Sequence, residues 1–528
     1  MACVLVGKCR TGARKPRTCL RTPGRETAIP GQFAIDFATP VAIFTAKVAN
    51  TQLVIATIAV PILGALTIPL VSLLGRKVRT AWANVLAYGT VACGAMLLPS
   101  VLSGLQQTVV NNGLLAFMGI TDWFLADALS VFVAVVAAGV GALIVTYSIG
   151  YIGGSDNETE YYTMVLLFIG SMMGIVFSAN LIFLYLFWEI AAICSWRLIG
   201  YYRKPEFVKR ADKAFMITFL GASAMLLGFI LVFTHAQPMT FDLAQLRGFQ
   251  LAPLAMFLIL AGMFAKSATF PLHTWLPDAG IAPSPVTGLL HAALLVKIGV
   301  YGFARLFCYT FTLPAWAPTV IGALAIGSAL IAACAAMVEN DLKRILAYST
   351  VSQIGYIFLG FAMLDSQVAL AGSVLYILAH GLGKAALFLC AGVIEHGAGT
   401  KDIRELGGLM KKMPVTAIVF FVSALSVIGI PPFAGFYSKF MVIAGTIQKG
   451  QFVLAAVAIF TAFLTLIYLM RVFNKVFMGD LTHASAHEGT RSMLVSISIF
   501  AVLSLVVGLL IAWPMGVVKL AAAQMVAR

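Results

Sequence analysis

Charge is scarce in this sequence. Only 10% of its 528 residues are Asp, Glu, Lys or Arg, and 61% are hydrophobic; a soluble globular domain carries about 25% charged residues. Too little charge is present to solvate the outside of a folded chain of this length in water. Paired cysteines are missing as well. The eight cysteines (Cys3, Cys9, Cys19, Cys93, Cys194, Cys308, Cys334 and Cys390) contain no Cys-x-x-Cys, which argues against iron–sulfur or structural zinc ligation. Five of them lie in or beside apolar segments, where cysteine is a small packing residue. No glycine-rich phosphate loop precedes a helix, so no nucleotide or flavin site is expected. Runs of alternating polar and apolar residues are absent, which excludes the strands of a membrane barrel. No cofactor and no metal are expected in this chain. His483 and His487 stand four apart in "HASAHEGT", but no further ligand accompanies them, and a plain loop is the simpler reading.

Acidic residues are outnumbered: 20 Asp and Glu against 35 Lys and Arg, a net charge of +15. The basic residues sit in short loops between apolar runs, so this excess fits the positive-inside bias of a membrane protein rather than a nucleic-acid partner. Spans of about 20 mostly apolar residues recur along the chain, and only helices satisfy their own backbone inside lipid without closing into a barrel. The expected fold is an all-α polytopic membrane protein. Fourteen transmembrane helices are expected, near 51–74, 82–104, 122–149, 161–179, 181–201, 213–234, 251–272, 284–307, 315–337, 344–363, 367–395, 414–441, 452–478 and 492–516. Asn180 alone separates the fourth from the fifth, a tight helical hairpin.

Loops after odd-numbered spans carry seventeen Lys and Arg; those after even-numbered spans carry three, Arg247, Arg305 at a helix end, and Lys449. The odd loops should face the cytoplasm, with both core termini outside, in what would be a bacterial inner membrane. Residues 1–30 hold seven Lys and Arg and one acid, Glu26. A transit peptide, a misassigned start and a disordered tail all fit this extension, and the apolar stretch at 33–46 could insert as an extra element. The loop "KDIRELGGLMKKMP" reads first as a solvated face and second as a docking site for a cytoplasmic neighbour.

Against this apolar background a few ionisable residues stand out: Glu189, Lys266, His291, Lys297, His380, Lys384 and Lys439. A charge at mid-membrane costs at least about 2.5–3.5 kcal/mol, so such residues mark ion pathways by default. The competing readings are snorkelling lysines near helix ends, neutral packed histidines, and a structural ion pair for Glu189. His380 and Lys384, four apart, share one helix face, whereas His291 and Lys297, six apart, do not. Two spans break themselves. Pro271 follows Lys266 in "FAKSATFPLHTWLPD", and Pro431 and Pro432 precede Lys439 in "GIPPFAGFYSK". Proline removes a helical donor, and freed backbone is tolerated in lipid only where it is buried in protein or lines a wet cavity. Interrupted spans in two halves point to a transporter built from repeats. A lysine beside such a break gains carbonyl partners and becomes a group that can load and release a proton.

"FWEIAAICSWRLIGYY", "KSATFPLHTWLPDAGIAPSPVTGLLHAALLVKIGVY", "DLKRILAYSTVSQIGYIFLG", "HGLGKAALFLCAGVIEH", "DIRELGGLMKKMP" and "GIPPFAGFYSKF" carry a family resemblance. In them the chain resembles the antiporter-like, proton-translocating subunits shared by respiratory complex I, membrane-bound energy-converting hydrogenases and Mrp cation/proton antiporters. The resemblance implies two inverted five-helix repeats, each with a broken helix, over 150–310 and 311–480. They are preceded by the basic extension 1–50 and helices in 51–149, and followed by a last loop and helix in 481–528. It implies that Glu189 pairs with Lys266, and that His291, Lys297, His380, Lys384 and Lys439 continue a midplane axis. The lateral helix of the large distal complex I subunit is expected to be absent, and Phe219 and Ala222 stand where that subunit tends to carry an Arg and an Asp. The fifth-helix and His291 regions look like the distal type; Lys297 looks like the middle types. The implied function is a proton- or Na⁺-translocating subunit of a multi-subunit membrane redox complex, with antiporter-like neighbours and redox subunits as partners within the lipid bilayer. Two alternatives stay open at this point: a subunit of an Mrp-type Na⁺/H⁺ antiporter without redox coupling, and a non-conducting scaffold. Whether the assembly is an enzyme stays open with them, since no redox centre is encoded here.

Overall fold

The computed structural model describes residues 40–103 and 108–527. The chain divides into a unit Met1–Thr45, almost all of it outside the described residues, and a unit Ala46–Arg528 that carries the features below. The expectations for the basic extension therefore lie outside what is described, up to the helix that begins at Pro40.

The protein is a helical membrane bundle. Twelve helices among the described residues are long and apolar enough to cross a bilayer. Two shorter apolar helices, Pro253–Lys266 and Pro414–Ile428, complete the expected fourteen. Polar caps set the helix starts. Asp127 accepts from Ser130 N and the Ser130 hydroxyl from Asp127 N, a reciprocal box that opens Ala128–Tyr151. Asn180 accepts from Phe183 N at 2.7 Å and donates to Asp122 O at 2.8 Å, so one side chain both opens Leu181–Ile199 and holds the hairpin. Burial is uneven. Ser284–Thr310, Leu342–Ala362 and Gln367–Ala398 are wrapped by protein almost all round, whereas Phe452–Phe477 and Arg76–Leu102 leave most of their apolar surface exposed. The ionisable residues concentrate on the enclosed helices.

Two details differ from expectation. The fold is not purely helical: Thr108–Asn111 pairs antiparallel with Asp122–Ala126. The run "DWFLA" is aromatic and apolar enough to merge with the next span in sequence, but the Asp127 cap stops the helix at Ala128. The break expected at Pro431 and Pro432 divides the span over 414–441 into Pro414–Ile428 and Ala434–Gln448, because the two prolines withhold their donors. The last span ends at Leu509, and a further helix, Ala512–Val526, follows it.

Basic residues of the odd-numbered connections meet acids at one common end of the bundle. Arg79 and Arg76 bind Glu158, Arg197 and Arg203 bind Glu160, and Lys213 and Arg344 bind Asp278. Arg344 also reaches Glu339 at 2.8 Å. Glu339 lies between two spans and accepts Asn340 N at 2.9 Å. Burial pushes its carboxyl up, but the Arg344 hydrogen bond and the backbone donors outweigh this and hold it below its ordinary value. A depressed carboxylate stabilises the fold above its unfolded pKa and loses that contribution as pH falls through the folded value. Glu339→Gln is therefore expected to cost about 1–2 kcal/mol at pH 7. The gap from the parent chain should close as the solution is acidified below about pH 4. Thermal unfolding in detergent at both pH values checks it; a gap that persists in acid means the lost contact was not ionic.

Candidate functional site

A buried lysine stands at each broken helix, held in a different way at each. In the first, Pro253–Lys266 stops at Lys266 itself, five residues before Pro271. The Trp275 indole folds back to donate to Ala265 O at 2.9 Å, which also accepts from Ala268 N at 3.3 Å. Lys266 is fully buried, and its ammonium donates to Trp188 O at 3.2 Å. It also stands 5.6 Å from the Trp188 ring. The expected direct pairing with Glu189 is not formed: no ion pair joins them among the described residues, and Glu189 Oε1 is buried without a hydrogen-bond partner. The two charges sit on either side of one peptide step, near enough to interact and not in contact.

In the second break the geometry explains the sequence. Helical donors for Val427 O and Ile428 O would come from the residues four positions on, which are Pro431 and Pro432 and have no N–H. Lys439, on the following helix, supplies what is missing: its ammonium donates to Val427 O at 2.9 Å and Ile428 O at 3.1 Å. Gly435 permits the approach, because a Cβ there would lie 1.9 Å from Ser426 O. The Lys439 ammonium also faces the Tyr356 ring at 4.9 Å and the Tyr376 ring at 6.0 Å.

Between the breaks lie the other residues singled out in the sequence. Lys297 Nζ and His380 Nδ1 are 2.6 Å apart, although 83 positions separate them in the chain. Both are buried, and this contact joins the first half of the bundle to the second. Ser267, next to Lys266, donates to Val296 O at 2.9 Å, which ties the first break to the Lys297 helix. On the far side the His380 ring lies edge-on to Tyr376 at 6.1 Å, and Tyr376 is the ring that faces Lys439. Lys384, one turn beyond His380, donates to Leu346 O at 3.2 Å. His291 sits in a π-helical turn, Leu289–Ala293, stacked on Phe388 at 4.3 Å, and neither of its ring nitrogens has a hydrogen-bond partner among the described residues. The order of groups is thus Glu189 and Lys266, Lys297, His380, then Lys384 and Lys439, with His291, from the span that carries Lys297, stacked against Phe388 of the Lys384 helix.

Sequence reasoning missed three groups. Lys343, one of the seventeen basic residues counted in the loops after odd-numbered spans, is 2% exposed, paired with Glu395 at 2.6 Å and bonded to Ala282 O at 3.2 Å. Gln353 accepts from the Tyr376 hydroxyl at 2.5 Å and donates to Thr465 and Tyr468, a hydroxyl network behind Lys439. Arg305, read as a helix-end charge, is 1% exposed and holds the fully buried Asp127 through two bonds. Its helix runs on to Thr310, so the guanidinium points into the bundle rather than into a loop. One signal was present: Lys297, Tyr301 and Arg305 are spaced by four, one face of one helix.

The NADH:quinone oxidoreductase/Mrp antiporter transmembrane family matches residues 178–465, more than half of the chain. The chain belongs to that family. The N-terminal family of complex I chain 5 matches residues 118–162. The family match takes in both broken helices and every ionisable residue of the axis. Among curated relatives, Na⁺/H⁺ antiporter subunit A1 of Staphylococcus haemolyticus is 35% identical over 490 residues, 86% of this chain and 60% of the relative. The same-named subunit of Staphylococcus aureus (strain JH9) is 33% identical over 488 residues, again 86% and 60%. The chain thus spans 60% of the length of these relatives. Two solved structures share the fold. A chain of the Mrp complex from Dietzia sp. DQ12-45-1b aligns with a TM-score of 0.82 at 24% identity, covering 90% of this chain and 97% of that one. A chain of an archaeal membrane-bound sulfane sulfur reductase aligns with a TM-score of 0.82 at 23% identity, covering 90% and 98%.

Proposed function

We propose that this chain is the ion-conducting core of an Mrp-type Na⁺/H⁺ antiporter, in which a proton or Na⁺ crosses the bundle along the Lys/His axis without redox coupling. The observation that carries this reading is the Lys297–His380 contact of 2.6 Å, where two buried groups that both exchange protons meet at the junction of the two halves. The likeness to subunits named Na⁺/H⁺ antiporter favours this over the redox-linked reading that the sequence first suggested. A scaffold has no use for the buried amines, each of which costs free energy to keep in the bundle.

In this reading Lys266 and Lys297 load and release a proton, His380 passes it on, and Lys439 delivers it to the second break. Glu189, close to Lys266 and not bonded to it, favours the ammonium form by Coulomb attraction. Residues 150–310 and 311–480 act as inverted repeats, each contributing one break. The partners are other membrane subunits of the same assembly, and the basic end faces the cytoplasm of a bacterial inner membrane with both core termini outside.

The test uses the native assembly in vesicles with no electron donor. A Na⁺ gradient should drive proton counterflow, and Glu189→Gln or Lys266→Ala should abolish it. Flux that appears only when an electron donor is supplied, or full flux in both variants, overturns the proposal.

A further inference from the structure

Lys297 has a shorter way out of the bundle than the lateral axis. Tyr301 and Arg305 follow it at successive turns of the same helix, toward the end that carries the paired strands. Beyond them lies a cavity of about 110 Å³, lined by Asp122, Arg247, Arg305 and Tyr309 among others. An ion on Lys297 would reach that end after two helical turns, without visiting His380 or Lys439, and such a shortcut would uncouple exchange.

We propose that the Arg305–Asp127 pair is a cationic seal that closes this shortcut and confines the ion to the lateral axis. The proposal rests on the translocation reading above. Arg305 Nη1 and Nη2 donate to the two Asp127 oxygens at 2.6 and 2.8 Å, and its Nε donates to the Tyr301 hydroxyl at 3.0 Å. Tyr301 in turn donates to Val176 O at 2.6 Å, so its one proton is committed and not available for relay. A guanidinium stays protonated at any working pH and cannot carry a proton through. A fixed guanidinium also repels arriving cations, as arginine constrictions do in selective pores. Asp127 offsets much of this charge, but the positive helix start to which it also binds through Ser130 N offsets part of the carboxylate in turn, so the site keeps a positive bias. Arg247 and Arg305 lie on the Tyr309 ring at 4.8 and 4.9 Å, which adds a second positive charge at the cavity. The charged and titratable groups around Arg305 are thus Asp127, Tyr301 and Tyr309, with Asp122 and Arg247 across the cavity. Stability alone does not explain the pair, since well-packed apolar residues often replace a buried ion pair at no cost.

The test is passive proton permeability of vesicles holding the native assembly, with Na⁺ absent. Arg305→His makes the seal titratable within one folded sample. At pH 5.5 the protonated imidazole keeps the route closed; at pH 8.5 the neutral ring opens it, and the leak should exceed the parent's by about tenfold. Adding Lys297→Ala should remove the leak, and Arg305→Lys, which keeps the charge, should hold it at the parent level. The neutral pair Asp127→Asn with Arg305→Gln should leak equally at both pH values, and it decides the matter if the histidine variant does not assemble. A leak that ignores pH in Arg305→His, or survives Lys297→Ala, overturns the seal, as does parent-level permeability in both charge-neutral forms. Parent assemblies whose Na⁺-driven exchange does not depend on Lys297 overturn the axis instead, whatever the leak.

Discussion

Lys297→Met is expected to abolish Na⁺-driven proton exchange, a fall of about 100-fold or more, as when a proton-carrying group is removed from its relay. The same substitution is expected to leave the folded chain as stable as before or more so. Lys297 is 2% exposed, and its one hydrogen bond among the described residues is to His380. Burying an ammonium on so little support costs free energy, and methionine fills nearly the same space without the charge. The relief is set against His380 Nδ1, which loses its lysine partner, so the net gain should be no more than about 1 kcal/mol. Vesicle transport and thermal unfolding of the same preparation check both halves. Exchange that survives removes Lys297 from the route; a drop in stability together with activity makes it a structural residue.

Lys439→Met should abolish exchange as well, but with the opposite effect on stability. Here the ammonium replaces two backbone donors that Pro431 and Pro432 lack, and its loss leaves Val427 O and Ile428 O buried without their lysine. An unsatisfied buried acceptor costs about 1–3 kcal/mol, which outweighs the relief of removing the charge. The chain should unfold about 2 kcal/mol more easily than the Lys297→Met chain in the same detergent. Lys439→Arg, which restores donors without restoring a group that titrates, should recover the stability and not the exchange. Equal stability of the two methionine variants would mean that the second break does not depend on its lysine.

The contrast between these lysines was only half legible in the sequence. Both read as amines in apolar runs, and Pro271 and the Pro431–Pro432 pair marked where backbone would be freed. That Pro431 and Pro432 stand four residues after Val427 and Ile428 was readable too, because helical hydrogen bonding is local. Which cation would answer those carbonyls was not, since Lys439 belongs to the next helix and reaches back across the break. Lys343 and Arg305 were misplaced for a related reason. Each lies within a few residues of a span edge, where one more turn of helix decides between a loop and the interior. The Glu189–Lys266 pairing, carried over from the family, became two separate environments because Lys266 turns to the Trp188 carbonyl. The strand Asp122–Ala126 was hidden by its own apolar character, which continues without interruption into the span behind it.

Membrane character, the number of spans, the two breaks and the inventory of buried amines and imidazoles can be read from the residues in order. These follow from composition and from spacing within single helices, where the cost of lipid on backbone and charge leaves few choices. Tertiary structure alone decided that Lys297 meets His380 and not Lys266, that Arg305 closes on Asp127, and that Lys343 turns inward to Glu395. Inside a bilayer, apolar surface does not drive helices together, so contact depends on where small residues let backbones approach. Gly299, where a Cβ would lie 2.3 Å from Met263 O, brings the Lys297 helix against the Lys266 helix in this way. Such close approaches belong to pairs of helices far apart in the chain, and no local pattern encodes them.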